Sequence, residues 1–256
     1  MSPSPPAGRI GLAGRLRIAV RAFVTLGWLV TGLVLYALAA PLPGRNPVSR
    51  LFLGGMLRIV GARLTIAGER PTQPAILLAN HVSWIDILAL AGATGTAFVA
   101  HDGLAGNPVL RFLCRLNRTV FIARHDRASI GGQIGQVQQG LREAGVLTLF
   151  PEGTTNDGRA LLPFKSSLLA AVEGSGAEVA ILPVWLDYGA EAPDIAWAED
   201  EPGLTNVLRL LARSRPVHVT VHLLPSLAAD ERRDRKMIAA AARDAIAAKT
   251  DQRVAL

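Results

Sequence analysis

Residues 22–40, AFVTLGWLVTGLVLYALAA, run for nineteen positions without a charge, preceded by Arg9, Arg15, Arg17 and Arg21. Coiled as a helix, such a run is roughly 28 Å long, about the thickness of the hydrocarbon core of a bilayer. A cleaved leader shares the basic flank, and Ala37-Leu38-Ala39 resembles a cleavage site, but the stretch is long for a leader. After the breaker Pro41-Leu42-Pro43-Gly44, residues 48–61 (VSRLFLGGMLRIVG) repeat the helical period, with Arg50, Gly54 and Arg58 on one side and apolar residues around the rest. This helix suits the headgroup layer or packing back onto its predecessor. The expectation is a two-helix membrane anchor over residues 16–61, either spanning the bilayer or dipping into one leaflet, behind a disordered tail at residues 1–15.

Composition agrees with contact with lipid. Half of the residues are hydrophobic and the mean hydropathy is +0.32, high for a freely soluble chain. The net charge is +7, and of the 27 basic residues only Lys165, Lys236 and Lys249 are lysines. Such a surface suits anionic phospholipid or an acidic carrier protein. The basic residues are scattered and no nucleic-acid recognition motif accompanies them, which argues against nucleic acid. The single cysteine, Cys114, excludes an internal disulfide and a cysteine-rich zinc site. No cluster of ligands with metal spacing occurs.

From Ala62 onward, short runs of β-formers alternate with segments of helical period. Strands are expected near 62–67, 75–80, 96–100, 118–123, 145–150, 178–185 and 216–223. Helices are expected near 83–92, 107–115, 128–143, 165–173, 203–213 and 230–248. This alternation predicts an α/β domain over residues 62–256, built on a single mixed β-sheet flanked by helices.

Chemistry concentrates where strands end. The apolar run Ala75–Ala79 stops at Asn80-His81, and Ser83-Trp84-Ile85-Asp86 fits a capping box opening a helix. On one continuous helix, residues five apart lie about 140° from each other; with a turn at Val82-Ser83, His81 and Asp86 can meet. A carboxylate beside an imidazole fixes its tautomer and raises its basicity, as needed to take a proton from a hydroxyl. A second station, Asn117–Arg124 (NRTVFIAR), puts Arg124 at a strand end, where a guanidinium can fork onto a phosphate or carboxylate. A third, GVLTLFPEGTT at residues 145–155, runs a buried strand into Pro151-Glu152-Gly153-Thr154. Proline stops the ladder, glycine lets backbone approach a ligand, and the acid stands at the mouth of the sheet.

Taken together these blocks resemble the lysophospholipid acyltransferase family over about residues 60–190. The HX4D block matches as His81 to Asp86, FIxR as Phe121-Ile122-Ala123-Arg124, and FPEGT as Phe150 to Thr154. The lysine-bearing LPFK matches as Leu162 to Lys165, and a later strand with proline as Ile181-Leu182-Pro183-Val184. The resemblance implies an O-acyltransferase in which His81 is general base and Asp86 holds it. An acyl thioester, on acyl carrier protein or coenzyme A, donates to the hydroxyl of a lysolipid without a further cofactor or metal. It also implies that Arg124, Glu152, Gly153, Thr154 and Lys165 bind substrate. Basic residues on both sides of the apolar run give the positive-inside rule little to work with; the expectation is a membrane protein, in the cytoplasmic membrane if bacterial, with the domain on the cytoplasmic side. No G-x-S-x-G elbow occurs, so no acyl-serine intermediate is expected.

The acceptor is expected to be 1-acylglycerol-3-phosphate, with lyso-ornithine lipid as the alternative. Members acting on the phosphate commonly follow FPEGT with arginine, where this chain has Thr155, and a basic residue is often found after the third strand, where it has His101-Asp102. Losing one guanidinium from a phosphate site costs a contact of about 1.5–3 kcal/mol. FPEGTT-x-DG with LPFKSS resembles the lyso-ornithine branch instead. Arg118, Arg127 and Arg159 are further sources of positive charge.

Overall fold

A central strand buried on both faces organises the domain: β2 (Ala75–Ala79), every residue of which is buried. In the computed structural model, which describes residues 10–41, 46–71, 74–101, 108–122, 130–173, 175–176, 178–198 and 201–254, it stands fourth in a seven-stranded sheet. The other strands are β1 (Ala62–Ala67), β3 (Ala97–His101), β4 (Val120–Ile122), β5 (Val146–Leu149), β6 (Ala180–Asp187) and β7 (Val217–Leu223). Their order is β1-β7-β6-β2-β5-β3-β4. Strands β6, β2, β5, β3 and β4 run parallel, and the β6–β7 pair is antiparallel, so the sheet is mixed as expected. A parallel strand covered by helices on both sides reads as a continuous apolar run. Accordingly Leu77 and Ala79 face one core and Ile76 and Leu78 the other.

Nine helices are described: α1 (Leu12–Ala39), α2 (Val48–Ile59), α3 (Ile85–Thr94), α4 (Pro108–Leu116), α5 (Ile130–Ala144), α6 (Ala170–Glu173), α7 (Ala192–Ile195), α8 (Gly203–Ala212) and α9 (Arg235–Val254). Leu57 of α2, Leu88 and Leu90 of α3, Ile195 of α7 and Leu210 of α8 pack on one face. Val137 and Leu141 of α5, Val172 of α6 and Ile238, Ala242 and Ile246 of α9 pack on the other. In α9 the buried residues recur every four positions, the stripe by which a surface helix closes a core. Every expected strand is found with its ends within two residues. Residues 165–173, expected as one helix, divide into a 3₁₀ turn, Ser166–Leu169, and the short α6.

The N-terminal helices are antiparallel and fixed to the domain. Trp28 Nε1 donates to the Phe52 carbonyl at 2.9 Å, and a Cβ on Gly32 would meet the Phe52 ring. Helix α2 in turn lies on α3, where Gly54 and Gly92 touch backbone to backbone: a Cβ on Gly92 would sit 3.2 Å from the Gly54 Cα. Arg17 Nε donates to the Ala212 carbonyl and Arg21 Nη1 to that of Leu211, both at 2.8 Å, so α1 caps the C-terminus of α8. The expected tail at residues 1–15 is shortened by this docking. Leu12 already opens α1, because Gly14 packs against Ala212 and the Arg15 side chain returns to the Ile10 carbonyl. Residues 1–9 lie outside the described residues. Helix α1 is long and apolar enough to cross a membrane; α2, with 12 residues, is shorter.

Candidate active site

Strand β2 delivers the chain to the C-terminal edge of the parallel strands, and Asn80 continues the ladder with its side chain. Its Nδ2 donates to the Leu186 carbonyl at 3.2 Å and its Oδ1 accepts from Leu186 N at 2.7 Å. The next residue, His81, therefore leaves the sheet from a fixed point. Asp86, in the first turn of α3, is completely buried. Its Oδ2 accepts from His81 Nδ1 at 2.8 Å, Val82 N at 2.7 Å and Ser83 N at 2.9 Å. The turn predicted at Val82-Ser83 is thus present. The helix begins at Ile85 rather than Ser83, because the N–H groups of residues 82 and 83 fold back onto the carboxylate.

The second carboxylate oxygen is also occupied: the Tyr188 hydroxyl donates to Asp86 Oδ1 at 2.5 Å. Burial, and then the charge of Asp86, push the Tyr188 phenol well above its ordinary range, so it remains a donor. The His81 ring stacks on Phe150, centroids 4.0 Å apart, and Phe150 stacks on Phe98. With Nδ1 held by Asp86, Nε2 is the ring nitrogen left for a reactant, and 18% of the side chain is exposed.

Strand β5 ends beside it. Phe150 carries the imidazole, Pro151 accepts a hydrogen bond from Lys165 N at 2.8 Å, and the chain turns at Gly153, φ +72°. The Lys165 ammonium lies over that glycine, 3.1 Å from where a Cβ would be, so a side chain there would displace it. Thr154 is exposed. Glu152, expected to bind substrate, is only 1% exposed and faces inward. Its Oε1 accepts from His81 N at 3.2 Å, and Asn156 Nδ2 donates to both carboxylate oxygens, while Asn156 N donates to the His81 carbonyl at 2.7 Å. Glu152 and Asn156 therefore grip the two backbone polar groups of His81. Burial pushes the Glu152 carboxyl up to about 7, against the lowering effect of its hydrogen bonds.

Four of the five expected substrate contacts lie on or beside this turn: Glu152, Gly153, Thr154 and Lys165. The fifth, Arg124, lies outside the described residues, as does Arg127. Arg118 belongs elsewhere: its Nη1 donates to the Glu143 carbonyl near the end of α5, where β5 starts, whereas the site lies where β5 ends. Thr155 points into the scaffold, Oγ1 donating to the Trp197 carbonyl at 2.6 Å. Sequence reasoning missed Tyr188 and Asn156 as partners of the His–Asp pair. Tyr188 gives no local signal, since it reaches Asp86 only because β6 pairs with β2.

Residues 63–187 match the acyltransferase family model. The chain is 31% identical to the lyso-ornithine lipid O-acyltransferase of Rhodobacter capsulatus over 269 aligned positions, covering 99% of this chain and 97% of that protein. It is 34% identical over 136 residues to the 1-acyl-sn-glycerol-3-phosphate acyltransferase of Neisseria meningitidis, covering 52% of each chain. Its fold is similar to the crystal structure of the 1-acyl-sn-glycerophosphate acyltransferase of Thermotoga maritima, with a TM-score of 0.66 at 19% identity, covering 93% of this chain and 96% of that one. The chain belongs to the acyltransferase family.

Proposed function

We propose that this protein is a membrane-seated O-acyltransferase that moves a fatty acyl chain from a thioester to the hydroxyl of a lysolipid. The observation that carries this reading is the partly exposed His81 imidazole, its Nδ1 held by a carboxylate that four donors fix in place. Asp86 keeps the proton on Nδ1, so Nε2 accepts the proton of the lysolipid hydroxyl. The oxygen attacks the thioester carbonyl, the C–S bond breaks, and the imidazolium returns its proton to the leaving thiolate. Phe150 supports the ring from one side, and Glu152 with Asn156 fixes its backbone. In this reading Glu152 positions the base instead of touching the acceptor. Gly153, Thr154 and the Lys165 cation offer the surface on which substrate lies, and Arg124 adds a cation for the headgroup or the donor.

The anchor dips into one leaflet. Helix α2 packs along α3, and α1 packs along α2 and caps α8, so the pair forms a side of the domain whose free surface is the outer face of α1 together with Leu51 of α2. That face carries Leu16, Val20, Phe23, Val30, Val34 and Leu38, all exposed. A monotopic seat keeps the site level with a substrate that is itself in the membrane, on the cytoplasmic side. The net charge of +7 suits an acidic acyl carrier protein as donor, with coenzyme A as the alternative.

For the acceptor, lyso-ornithine lipid is favoured over 1-acylglycerol-3-phosphate. Position 155, arginine in many phosphate-directed members, is a threonine turned to Trp197, and the relative matched along its whole length is named for lyso-ornithine lipid. Lys165 at the FPEGT turn keeps the phosphate reading in play as the second choice. Purified protein supplied with a labelled acyl thioester and each lysolipid in turn tests both. Acylation of lyso-ornithine lipid is expected, acylation of lysophosphatidate alone reverses the order, and inactivity on both overturns the reading.

A further inference from the structure

Two successive carbonyls of the dyad turn are held by different segments. The His81 carbonyl accepts from Asn156 N at 2.7 Å, and the Val82 carbonyl accepts from Trp197 N at 2.9 Å. Those segments are themselves joined, because Thr155, the neighbour of Asn156, donates its hydroxyl to the Trp197 carbonyl at 2.6 Å. The result is a closed circuit, from His81 to Asn156, from Thr155 to Trp197 and from Trp197 back to Val82, made of three hydrogen bonds and the chain between them. Thr155 supplies its one side-chain link; the other two are backbone to backbone.

The circuit bears directly on the dyad. Val82 N donates to Asp86 Oδ2 while the Val82 carbonyl goes to Trp197, so both backbone polar groups of this residue are fixed, one of them by the acid itself. A shift of Trp197 moves Val82, and with it the aim of the His81 ring at Asp86.

A second side chain braces the circuit from α8. Asn206 is completely buried. Its Nδ2 donates to the Ala196 carbonyl at 3.1 Å and to Glu201 Oε2 at 2.6 Å, and its Oδ1 accepts from Trp84 Nε1 at 3.0 Å. A buried amide is favourable only with its partners in place, so it fixes them relative to one another. Asn206 thereby locks residues 196–197 to the start of α3, whose first turn carries Asp86. Residues 196–206 lie past the stretch, 63–187, that matches the family model.

We propose that Thr155 and Asn206 are positioning residues of the acyl transfer: they touch neither thioester nor lysolipid, and act by holding the His81-Val82 peptide through residues 196–197. The inference rests on the reading of His81 as the base and deepens it by naming what keeps that base aimed.

Steady-state kinetics of the full chain in mixed micelles test it, with a labelled acyl thioester and whichever lysolipid the wild type accepts. Thr155→Val keeps the shape of the side chain and removes the donor. Its kcat is expected to fall about fivefold, the loss of one buried hydrogen bond, with KM for both substrates unchanged. Thr155→Ser restores the donor and is expected to recover most of that loss, although it packs less well than valine. Trp84→Phe leaves Asn206 Oδ1 without its donor and is expected to lower kcat by a similar factor, again at constant KM. A raised KM for the lysolipid at constant kcat in Thr155→Val would put Thr155 on the substrate and overturn the proposal. A lower melting midpoint with kcat per folded molecule unchanged would overturn it too, leaving the circuit as scaffold. Should Thr155→Val not fold, Trp84→Phe decides, a kcat equal to that of the wild type overturning the proposal. If the wild type moves no acyl chain from a thioester to any lysolipid, the reading of His81 falls and the positioning role with it; if it does so and the variants match it in kcat, the positioning role falls alone.

Discussion

Tyr188 and His81 bind opposite oxygens of one buried carboxylate: the phenol donates to Asp86 Oδ1 at 2.5 Å and the imidazole to Oδ2 at 2.8 Å. The acid is thereby oriented from both sides by groups 107 positions apart in the chain. Tyr188→Phe keeps the ring in its buried place but leaves Oδ1 without this donor. A buried hydrogen bond to a charged group is worth about 1.5–3 kcal/mol, part of which appears as a poorly aimed imidazole. We expect kcat to fall roughly ten- to a hundredfold with KM for donor and acceptor unchanged, read from initial rates. An unchanged kcat refutes the coupling.

His81→Ala and Asp86→Asn are expected to fail in different ways. Removing the partly exposed imidazole takes away the proposed base, worth about two to four powers of ten in turnover, and disturbs little else. Asparagine at 86 replaces one acceptor oxygen with an NH2 group in a site where His81, two backbone N–H groups and Tyr188 all donate. That mismatch costs about 3 kcal/mol or more in a buried position. Thermal melts therefore separate the two: the alanine variant is inactive with a midpoint close to the wild type, and the asparagine variant is inactive and melts several degrees lower. Equal midpoints refute this account of Asp86.

The sheet was legible because its strands are short, apolar and separated by helical segments, so period and length sufficed to find all seven. The dyad was legible because five residues with a turn between them is a local relation. What joins the dyad to the rest is not local. Asn156 reaches His81 across the β2–β5 pair and Tyr188 reaches Asp86 across β2–β6, so neither has a spacing to read. Glu152 was legible as a motif but its direction was not, since a sequence shows that an acid follows a strand and not which way its side chain turns. The docking of Arg17 and Arg21 onto α8 was hidden for the same reason: beside an apolar run, arginines suggest headgroups, and here they meet the carbonyls of a helix end.

Glu152 makes stability depend on pH. Its carboxyl is raised from 4.5 in the unfolded chain to about 7 in the fold, chiefly by burial. The native state thus binds this proton more tightly than the unfolded state. The resulting stabilisation, about 3 kcal/mol at most, is complete below pH 4.5 and is lost as pH rises through about 7. Glu152→Gln lacks the titration but also loses an acceptor facing Asn156, a constant penalty. Urea melts of both proteins are expected to show the wild type's advantage shrinking steadily between pH 5 and about 8, then levelling. An advantage that grows with pH would mean that the ionised form is the one the fold prefers.

Helix α1 inverts the usual surface pattern: Arg17 and Arg21 turn toward α8, while Leu12, Leu16, Val20, Phe23, Val30, Val34 and Leu38 face outward. In water this arrangement exposes apolar side chains each worth about 1.5–3 kcal/mol when buried, and it is stable against a lipid surface. Leu16, Val20 and Phe23 lie along one face at spacings of four and three, and all three are exposed, so glutamates there disturb no packing inside the domain. The triple variant Leu16→Glu, Val20→Glu, Phe23→Glu is expected to stay in the supernatant when spun with uncharged phosphatidylcholine vesicles, with its circular dichroism unchanged. It should still acylate a short-chain, water-soluble acceptor while losing activity on vesicle-borne lysolipid. The wild type is expected to pellet with the vesicles even in molar salt, because screening weakens ion pairs and leaves apolar burial in place. Release of the wild type by salt, or pelleting of the triple variant, would show that charge, not the outer face of α1, holds the protein at the membrane.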